Sequence, residues 1–197
     1  SKACFRKVKK TYFVEEDIFG KKSKKVIREC KNAGADAVKF QTFETNALVT
    51  RNAVKAEYQS HAIGPDETQY EMLQRLELSP EMHQKIIARC EKRGITFLSS
   101  PFDEASVELL YDLQVPAFKI PSGEITNLPY LRHIGGMGRP VIMSTGMATL
   151  YEVRAAMEIL LEAGIEKEDI SILHCNTEYP TPMKDVNLRA MLHIRDE

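Results

Sequence analysis

Residues 116–130 read PAFKIPSGEITNLPY, and this stretch decides how the rest of the chain is interpreted. The apolar run at 117–120 lies between two prolines, which predicts a short buried strand. Lys119 interrupts that run, and a buried ammonium group is costly unless an anionic group meets it. A hydroxyl, a glycine and a carboxylate follow at 122–124. We therefore expect the end of this strand to border a site for a charged, oxygen-rich ligand.

Composition places the chain among ordinary globular proteins. It has 197 residues, of which 43% are hydrophobic and 28% charged, with a net charge of -1. That balance argues against nucleic acid as a partner, because a surface that binds phosphate backbones carries a basic excess. The basic run at 21–25 is interpreted as a solvated helix face. No apolar run reaches the length of a membrane span and residues 1–13 do not resemble a signal peptide, so we expect a cytoplasmic protein without a membrane partner.

The four cysteines, Cys4, Cys30, Cys90 and Cys175, lie far apart in the sequence. None belongs to a C-x-x-C pair, the spacing typical of zinc sites and redox motifs. We therefore expect reduced, partly buried thiols rather than a zinc site or a disulfide framework.

Strand-like and helix-like segments alternate along the chain. The hydrophobic patterns predict strands at 11–15, 37–41, 96–99, 117–120, 140–143 and 170–174. They predict helices at 22–33, 80–93, 103–113, 127–134, 151–163 and 188–197, with Ser79 capping the second and Gly94 ending it. Residues 42–79 break the rhythm and predict an extended loop with some helix.

Polar residues follow the predicted strands one after another, and this feature selects among α/β folds. The residues at these strand ends are Lys39 and Gln41, Ser99 and Ser100, Lys119 and Ser122, Ser144 and Thr145, and His174, Asn176 and Thr177. A barrel gathers such residues around one axis, whereas an open sheet exposes only a switch point. No strand precedes a G-x-G-x-x-G or Walker A pattern. The prediction is a (β/α)8 TIM barrel, incomplete here because about six of the eight strands are found, so we expect a truncated chain or a partial record of a longer protein.

Six motifs in order resemble the sialic acid synthase family, which contains the N-acetylneuraminate, legionaminate and pseudaminate synthases and spore-coat polysaccharide relatives. The motifs are GADAVKFQTF (34–43), KAEYQ (55–59), SSPFD (99–103), FKIPSGEITNLPYL (118–131), STGMA (144–148) and LHCNTEYPTPMKDVNL (173–188). The resemblance runs from about Thr11 to the end of the chain. Several motifs in the same order are much more specific than any one alone.

This resemblance implies a transferase that condenses phosphoenolpyruvate with an N-acetylated amino sugar to give a nine-carbon 2-keto acid and phosphate. A divalent metal, Mn2+ or Mg2+, polarises the sugar aldehyde in such enzymes. It also implies a homodimer in which a C-terminal antifreeze-like (SAF) domain covers the partner's site. The segments KAEYQ and YEML (70–73) resemble those of the sialate and legionaminate branches, so N-acetylmannosamine or a diacetamido-trideoxy hexose is the expected sugar.

The same resemblance assigns roles to individual residues. Those matching contacts to phosphoenolpyruvate are Lys39, Ser100, Lys119, Ser122, Ser144 and either Asn176 or Thr177. Those matching positions at the amino-sugar end are Gln41, Glu124 and Tyr179. Each has a simpler alternative: the lysines can form buried salt bridges, the serines can cap helices or turns, Glu124 can cap the following helix, and Tyr179 can pack on Pro180.

Two parts of the chain depart from the family pattern. The first strand of the family ends in a general acid/base carboxylate and a turn of the kind E-I-G-x-N-H-x-G, whereas this chain has EEDIFG (15–20), so Glu16 or Glu15 is the candidate. The metal-binding histidines of the family correspond to positions beyond Glu197, and His174 is interpreted as an inward-facing core residue within its strand. The resemblance therefore predicts no metal site within these residues, and the fragment by itself is expected to be inactive.

Other functions remain open at this point. Other phosphoenolpyruvate-condensing barrels, such as 3-deoxy-octulosonate phosphate synthase, and Schiff-base aldolases also place lysines at strand ends. A Schiff-base lysine must lose its charge, whereas the hydroxyls around Lys119 favour anion binding. The altered turn after the first strand also allows a non-catalytic binding protein in surface-polysaccharide assembly.

Overall fold

The computed structural model describes residues 11–13, 21–54, 68–178 and 180–197. Strands and helices alternate through these residues, and every strand pairing is parallel. The strands are β1 Thr11–Phe13, β2 Ala37–Thr42, β3 Thr96–Pro101, β4 Phe118–Ile120, β5 Val141–Ser144 and β6 Ile170–Leu173. The helices are α1 Lys21–Asn32, α2 Thr45–Leu48, α3 Gln69–Leu76, α4 Pro80–Arg93, α5 Glu104–Asp112, α6 Leu128–Gly136, α7 Leu150–Glu162 and α8 Ala190–Asp196. The predicted α/β class with parallel strands is confirmed.

The described residues form two compact units, one ending at Ala117 and the other beginning at Phe118. The first unit holds a three-stranded sheet in the order β1-β2-β3, and the second holds one in the order β4-β5-β6. All six predicted strands are present in these sheets, and residues 14–15 of the first predicted strand lie outside the described part of the chain. Closure into an eight-stranded barrel stays a prediction.

Local signals explain where the helices begin and end. The Ser79 hydroxyl accepts a hydrogen bond from Met82 N at the start of α4, and Gly94 ends that helix at a φ of 60°. Only a residue without a Cβ adopts this left-handed conformation at no cost. Thr149 and Glu152 form a reciprocal capping box at the start of α7. These helices lie where the sequence predicted them.

Apolar residues of the strands form the core of each unit. In the first unit Val38 and Phe40 are fully buried, and Phe40 stacks on Phe97 with ring centroids 5.5 Å apart. In the second unit Phe118 and Ile120 are fully buried on either side of Lys119. Strands buried on both faces need helices over them, which agrees with the alternating order of elements.

Residues 42–79 were predicted to form an extended loop with some helix. The structure differs from this prediction at the first residue. Thr42 is the last residue of β2, where it pairs with Pro101 of β3. The interval contains the short helices α2 and α3. The carboxylate of Glu77 accepts hydrogen bonds from the backbone N–H and the hydroxyl of Thr45, which stabilises the start of α2. Residues 55–67 lie outside the described part of the chain.

No helix in the described ranges is both long enough and apolar enough to cross a membrane.

Candidate functional site

Strand β4 carries Lys119 into the interior of the second unit. The side chain of Lys119 is only 5% exposed, as its position in an apolar strand predicts. Lys119 pairs with Ile142 of β5, and Ser144 lies two positions further along that strand. Both side chains therefore stand near the carboxyl ends of neighbouring parallel strands, the edge where α/β proteins place ligands.

The hydrogen bonds of Lys119 leave donors available for a ligand. Its Nζ donates to the carbonyl oxygen of Ile120 at 2.8 Å and to the hydroxyl oxygen of Ser144. Cys175 Sγ donates to the same hydroxyl oxygen at 3.6 Å. A lysine has three N–H donors, and no described residue accepts the third or the hydroxyl proton of Ser144. This small cluster can therefore donate at least two hydrogen bonds to a bound oxyanion.

The pKa of Lys119 reflects its surroundings. Burial lowers it from 10.5 to about 8, an effect that the electrostatic interaction with Cys175 partly opposes. No carboxylate among the described residues pairs with Lys119. The alternative that Lys119 serves a buried salt bridge therefore has no support in this part of the chain, and its charge is available to an anionic ligand.

The first unit contains a lysine and a serine in the same relationship. Lys39 pairs with Leu98, and Ser100 lies two positions further along β3. Lys39 Nζ donates to the carbonyl oxygen of Phe40 at 3.4 Å and to Ser100 Oγ at 3.2 Å. Lys39 is 8% exposed and Ser100 2% exposed. Gln41 is half-buried and lies on the same face of β2 as Lys39.

Ser122 and Glu124 follow β4 in a short 3₁₀ helix, Ser122–Glu124. The Glu124 carboxylate accepts a hydrogen bond from the Asn127 side chain at 2.8 Å. Asn127 Oδ1 in turn accepts from Tyr130 N and caps α6. Glu124 thus supports the start of the following helix, in agreement with its simpler alternative. Both Ser122 and Glu124 remain half-buried, so a ligand contact is compatible with this capping role.

The segment after β6 approaches the loop after β5. Thr145 donates to the carbonyl oxygen of Leu173 through both its backbone N–H, at 3.1 Å, and its hydroxyl, at 3.0 Å. A Cβ placed on Gly146 would lie 3.1 Å from the carbonyl carbon of Asn176. Asn176 is half-buried, and its side-chain oxygen accepts from Glu178 N at 2.9 Å. The lack of a side chain at Gly146 therefore permits this close approach.

The remaining predicted site residues lie after β6 or outside the described part of the chain. Asn176 is half-buried and Thr177 is exposed, and both stay candidates for the ligand contact. The placement of His174 within β6 is wrong, because the strand ends at Leu173 and His174 is half-buried just beyond it. Glu16 and Tyr179 lie outside the described residues, as do Glu15 and the motif KAEYQ.

A metal site is not formed by the residues that the structure describes. Within them, no group of three or more His, Cys, Asp or Glu side chains could hold a metal ion. The described residues therefore do not fit a divalent cation. Of the four cysteines predicted to be reduced thiols, Cys30, Cys90 and Cys175 are free, whereas Cys4 lies outside the described residues.

Two side chains near these strand ends make contacts that the sequence did not predict. Cys175 was considered only as a reduced thiol, and its contact with Ser144 depends on the pairing of β5 with β6. His83 was not among the predicted site residues, yet its side chain is fully buried and its ring contacts Thr42 of β2 and Phe97 of β3. One signal could have indicated its burial, since His83, Ile86 and Cys90 recur at helical spacing on the buried face of α4.

Comparison with known proteins shows which family the sequence resembles. The sequence model described as the NeuB family matches residues 26–197. The chain is 46% identical over 174 residues to N,N'-diacetyllegionaminic acid synthase of Campylobacter jejuni subsp. jejuni serotype O:2, covering 88% of this chain and 52% of that protein. It is 46% identical over 177 residues to the synthase of the same name from Legionella pneumophila subsp. pneumophila, covering 89% and 50%.

A solved structure with a similar fold is that of N-acetylneuraminic acid (sialic acid) synthetase from Leptospira borgpetersenii serovar Hardjo-bovis in complex with citrate. The TM-score is 0.73 at 25% sequence identity, and the match covers 88% of this chain and 55% of that one. The chain spans about half the length of the curated relatives that it matches.

Proposed function

The chain belongs to the NeuB family, and on that premise we propose that the whole protein is a nonulosonic acid synthase that condenses phosphoenolpyruvate with an N-acetylated amino sugar. One observation within the chain supports this proposal most directly. Lys119 and Ser144 present free hydrogen-bond donors at the carboxyl ends of two parallel strands, with no described carboxylate to neutralise the lysine. Phosphoenolpyruvate is a polyanion and requires such donors.

The reaction balances as follows. C3 of phosphoenolpyruvate forms a bond to the aldehyde carbon of the open-chain sugar, and the aldehyde oxygen takes a proton. Water adds at C2, phosphate leaves, and C2 becomes the carbonyl carbon of a 2-keto acid. Lys119 and Ser144 hold the anionic groups of phosphoenolpyruvate while negative charge moves towards the leaving phosphate.

The other assignments from the resemblance belong to the same proposal. Lys39, Ser100, Ser122 and either Asn176 or Thr177 would contact phosphoenolpyruvate, Gln41, Glu124 and Tyr179 would contact the sugar, and Glu16 would act as general acid/base. The eight-stranded barrel, the homodimer, the cytoplasmic location, the SAF domain and the requirement for Mn2+ or Mg2+ are predictions for the whole protein.

The relatives favour one class of sugar. Identity to the two legionaminic acid synthases is 46%, whereas identity to the human N-acetylneuraminate-9-phosphate synthase is 35%. We therefore propose a diacetamido-trideoxy hexose as the preferred substrate, with N-acetylmannosamine as the alternative.

The decisive assay mixes the whole protein with phosphoenolpyruvate and a panel of amino sugars, with and without manganese. Phosphate release coupled to a new 2-keto acid, identified by mass spectrometry, is the expected result. Binding of phosphoenolpyruvate without phosphate release from any sugar would instead support the non-catalytic alternative.

A second candidate function has one observation in its favour. A lysine whose pKa is lowered to about 8 is more readily deprotonated, as a Schiff-base lysine must be. Borohydride treatment in the presence of pyruvate distinguishes the two chemistries. We expect no covalent adduct on Lys119, and a stable adduct located there by peptide mass spectrometry would replace the synthase proposal with an aldolase.

A further inference from the structure

His83 is a buried polar residue that the proposed chemistry does not use. It lies on the inner face of α4 with no exposed surface, and its ring meets that of Phe97 edge to face at 6.4 Å. An imidazole in such a place costs free energy unless both nitrogen atoms form hydrogen bonds. An apolar side chain of similar size would avoid this cost, so packing alone does not explain a histidine here.

The contacts of the ring define the direction of a hydrogen-bond chain. Nδ1 of His83 lies 2.9 Å from the carbonyl oxygen of Ser79, which can only accept, so Nδ1 carries the proton. Burial lowers the pKa of His83 and keeps the ring neutral. Nε2 is therefore an acceptor, and the hydroxyl of Thr42 donates to it at 2.8 Å.

The chain of hydrogen bonds continues from Thr42 to Ser99 on the neighbouring strand. Thr42 Oγ1 lies 2.7 Å from Ser99 Oγ. Because the Thr42 proton is directed at His83, Ser99 is the donor in this second bond. Ser99 and Thr42 are 0% and 2% exposed, so no solvent competes for these bonds. The ends of β2 and β3 are thus joined through their side chains to α4.

These hydrogen bonds lie on the face of the sheet opposite to Lys39 and Ser100. Side chains alternate between the two faces of a strand, so Thr42 points to the face opposite Lys39, and Ser99 points to the face opposite Ser100. The two pairs thus occupy opposite faces of the same two strand ends. A change in the spacing of these ends would alter the 3.2 Å contact between Lys39 and Ser100.

We propose that His83 is a positioning residue whose neutral Nδ1–H tautomer, acting through Thr42 and Ser99, fixes the spacing of the β2 and β3 ends and hence the Lys39–Ser100 pair. The predicted effect on ligand binding rests on the proposed function, because phosphoenolpyruvate is the ligand that Lys39 and Ser100 would contact.

Two substitutions at His83 distinguish its hydrogen bond to Thr42 from its hydrogen bond to Ser79. In His83→Gln the longer amide can reach Thr42 with an acceptor oxygen, whereas in His83→Asn the shorter amide can reach only the Ser79 side. We expect His83→Asn to weaken phosphoenolpyruvate binding by about tenfold, because the Lys39–Ser100 pair would no longer be held at one spacing. His83→Gln should stay within about threefold of the wild type. In turnover assays the KM for phosphoenolpyruvate should rise in His83→Asn while kcat changes little.

A second pair of variants keeps the test valid if changes at His83 prevent folding. Thr42→Val removes the hydroxyl at constant shape and should behave as His83→Asn does. Thr42→Ser retains the hydroxyl and should behave as the wild type does. Melting curves of all four variants identify any that fail to fold.

A readout independent of the ligand separates this inference from the proposed function. The Phe102 N–H donates to the carbonyl oxygen of Thr42 at 3.1 Å and so reports on the spacing of the two strand ends. We expect faster hydrogen exchange of this amide in His83→Asn and Thr42→Val, and wild-type exchange in His83→Gln and Thr42→Ser.

The outcomes are distinct. If the wild type does not bind phosphoenolpyruvate but Phe102 exchange follows this pattern, the proposed function fails and the positioning role stands. If Phe102 exchange is the same in all variants, or if His83→Gln and Thr42→Ser resemble the disrupting variants, the positioning role is wrong.

Discussion

Lys119 donates a hydrogen bond to the hydroxyl of Ser144, which lies on the neighbouring strand two positions beyond the residue that pairs with Lys119. Lys39 and Ser100 repeat this relationship on β2 and β3. In both cases the lysine also donates to the carbonyl oxygen of the next residue. The repeated geometry indicates that each lysine is held in one orientation by its own strand and by the adjacent one.

Replacing Lys119 with methionine tests whether the buried ammonium group stabilises or destabilises the fold. Lys119→Met removes a buried charge but retains most of the side-chain volume. One pKa unit corresponds to about 1.4 kcal/mol, so the shift from 10.5 to about 8 corresponds to roughly 3 kcal/mol of burial cost. We expect the free energy of unfolding at pH 7 to be equal to that of the wild type or higher, by up to about 3 kcal/mol. Urea denaturation of both proteins measures it, and a clear loss of stability would show that the ammonium group stabilises the fold.

The pH dependence of that difference provides a separate prediction. The folded-state pKa of Lys119 is below its unfolded value, so between pH 8 and 10.5 the unfolded chain binds more protons than the folded one. The wild type should therefore gain stability relative to Lys119→Met as the pH rises through this window. The burial cost is fully present below pH 8. Denaturation of both proteins at several pH values tests this, and a difference that stays constant up to pH 10 would contradict the lowered pKa.

Adding a methyl group at Gly146 should disturb the loop beside Ser144. In Gly146→Ala the new Cβ would lie 3.1 Å from the carbonyl carbon of Asn176 and 3.2 Å from the carbonyl oxygen of Cys175. Both are backbone atoms, so the loops must move apart. We expect a loss of about 1–3 kcal/mol in stability and weaker phosphoenolpyruvate binding, measured by denaturation and calorimetric titration.

Gly136→Ala is the matched control for this change. Gly136 is the last residue of α6, and a Cβ there would meet nothing within 4 Å. Alanine suits a helix better than glycine, so stability should be unchanged or higher by up to about 1 kcal/mol. Equal effects of the two substitutions would mean that close approach at Gly146 is unimportant.

Local sequence signals predicted much of the fold. Ser79, Pro80 and Gly94 act within a few residues of α4, so the bounds of that helix follow from the sequence alone. Strand ends were harder to predict. The predicted strand at 96–99 continues to Pro101 because Gln41 and Thr42 of β2 pair with its last two residues. Such pairing depends on register between distant segments, which no local pattern specifies.

In the candidate site, too, features set by neighbouring residues could be predicted, and contacts between distant segments could not. The sequence indicated that Lys119 would be buried, because the apolar residues around it are adjacent in the chain. Its contacts with Ser144 and Cys175 join three different strands or loops and required the sheet. His83 illustrates the limit most clearly, since its partners Thr42 and Ser79 are brought together only when α4 packs on β3, the strand that pairs with β2.

The central claim is that the Lys119 charge binds phosphoenolpyruvate, and turnover of Lys119→Ala in the whole protein tests it most directly. Lys24→Ala removes an exposed lysine of α1 and serves as the control for the change in net charge. We predict that phosphate release falls by about a hundredfold to a thousandfold in Lys119→Ala, as expected when a donor to the reacting anion is lost, and stays at the wild-type rate in Lys24→Ala. Phosphate release from Lys119→Ala close to the wild-type rate would contradict it.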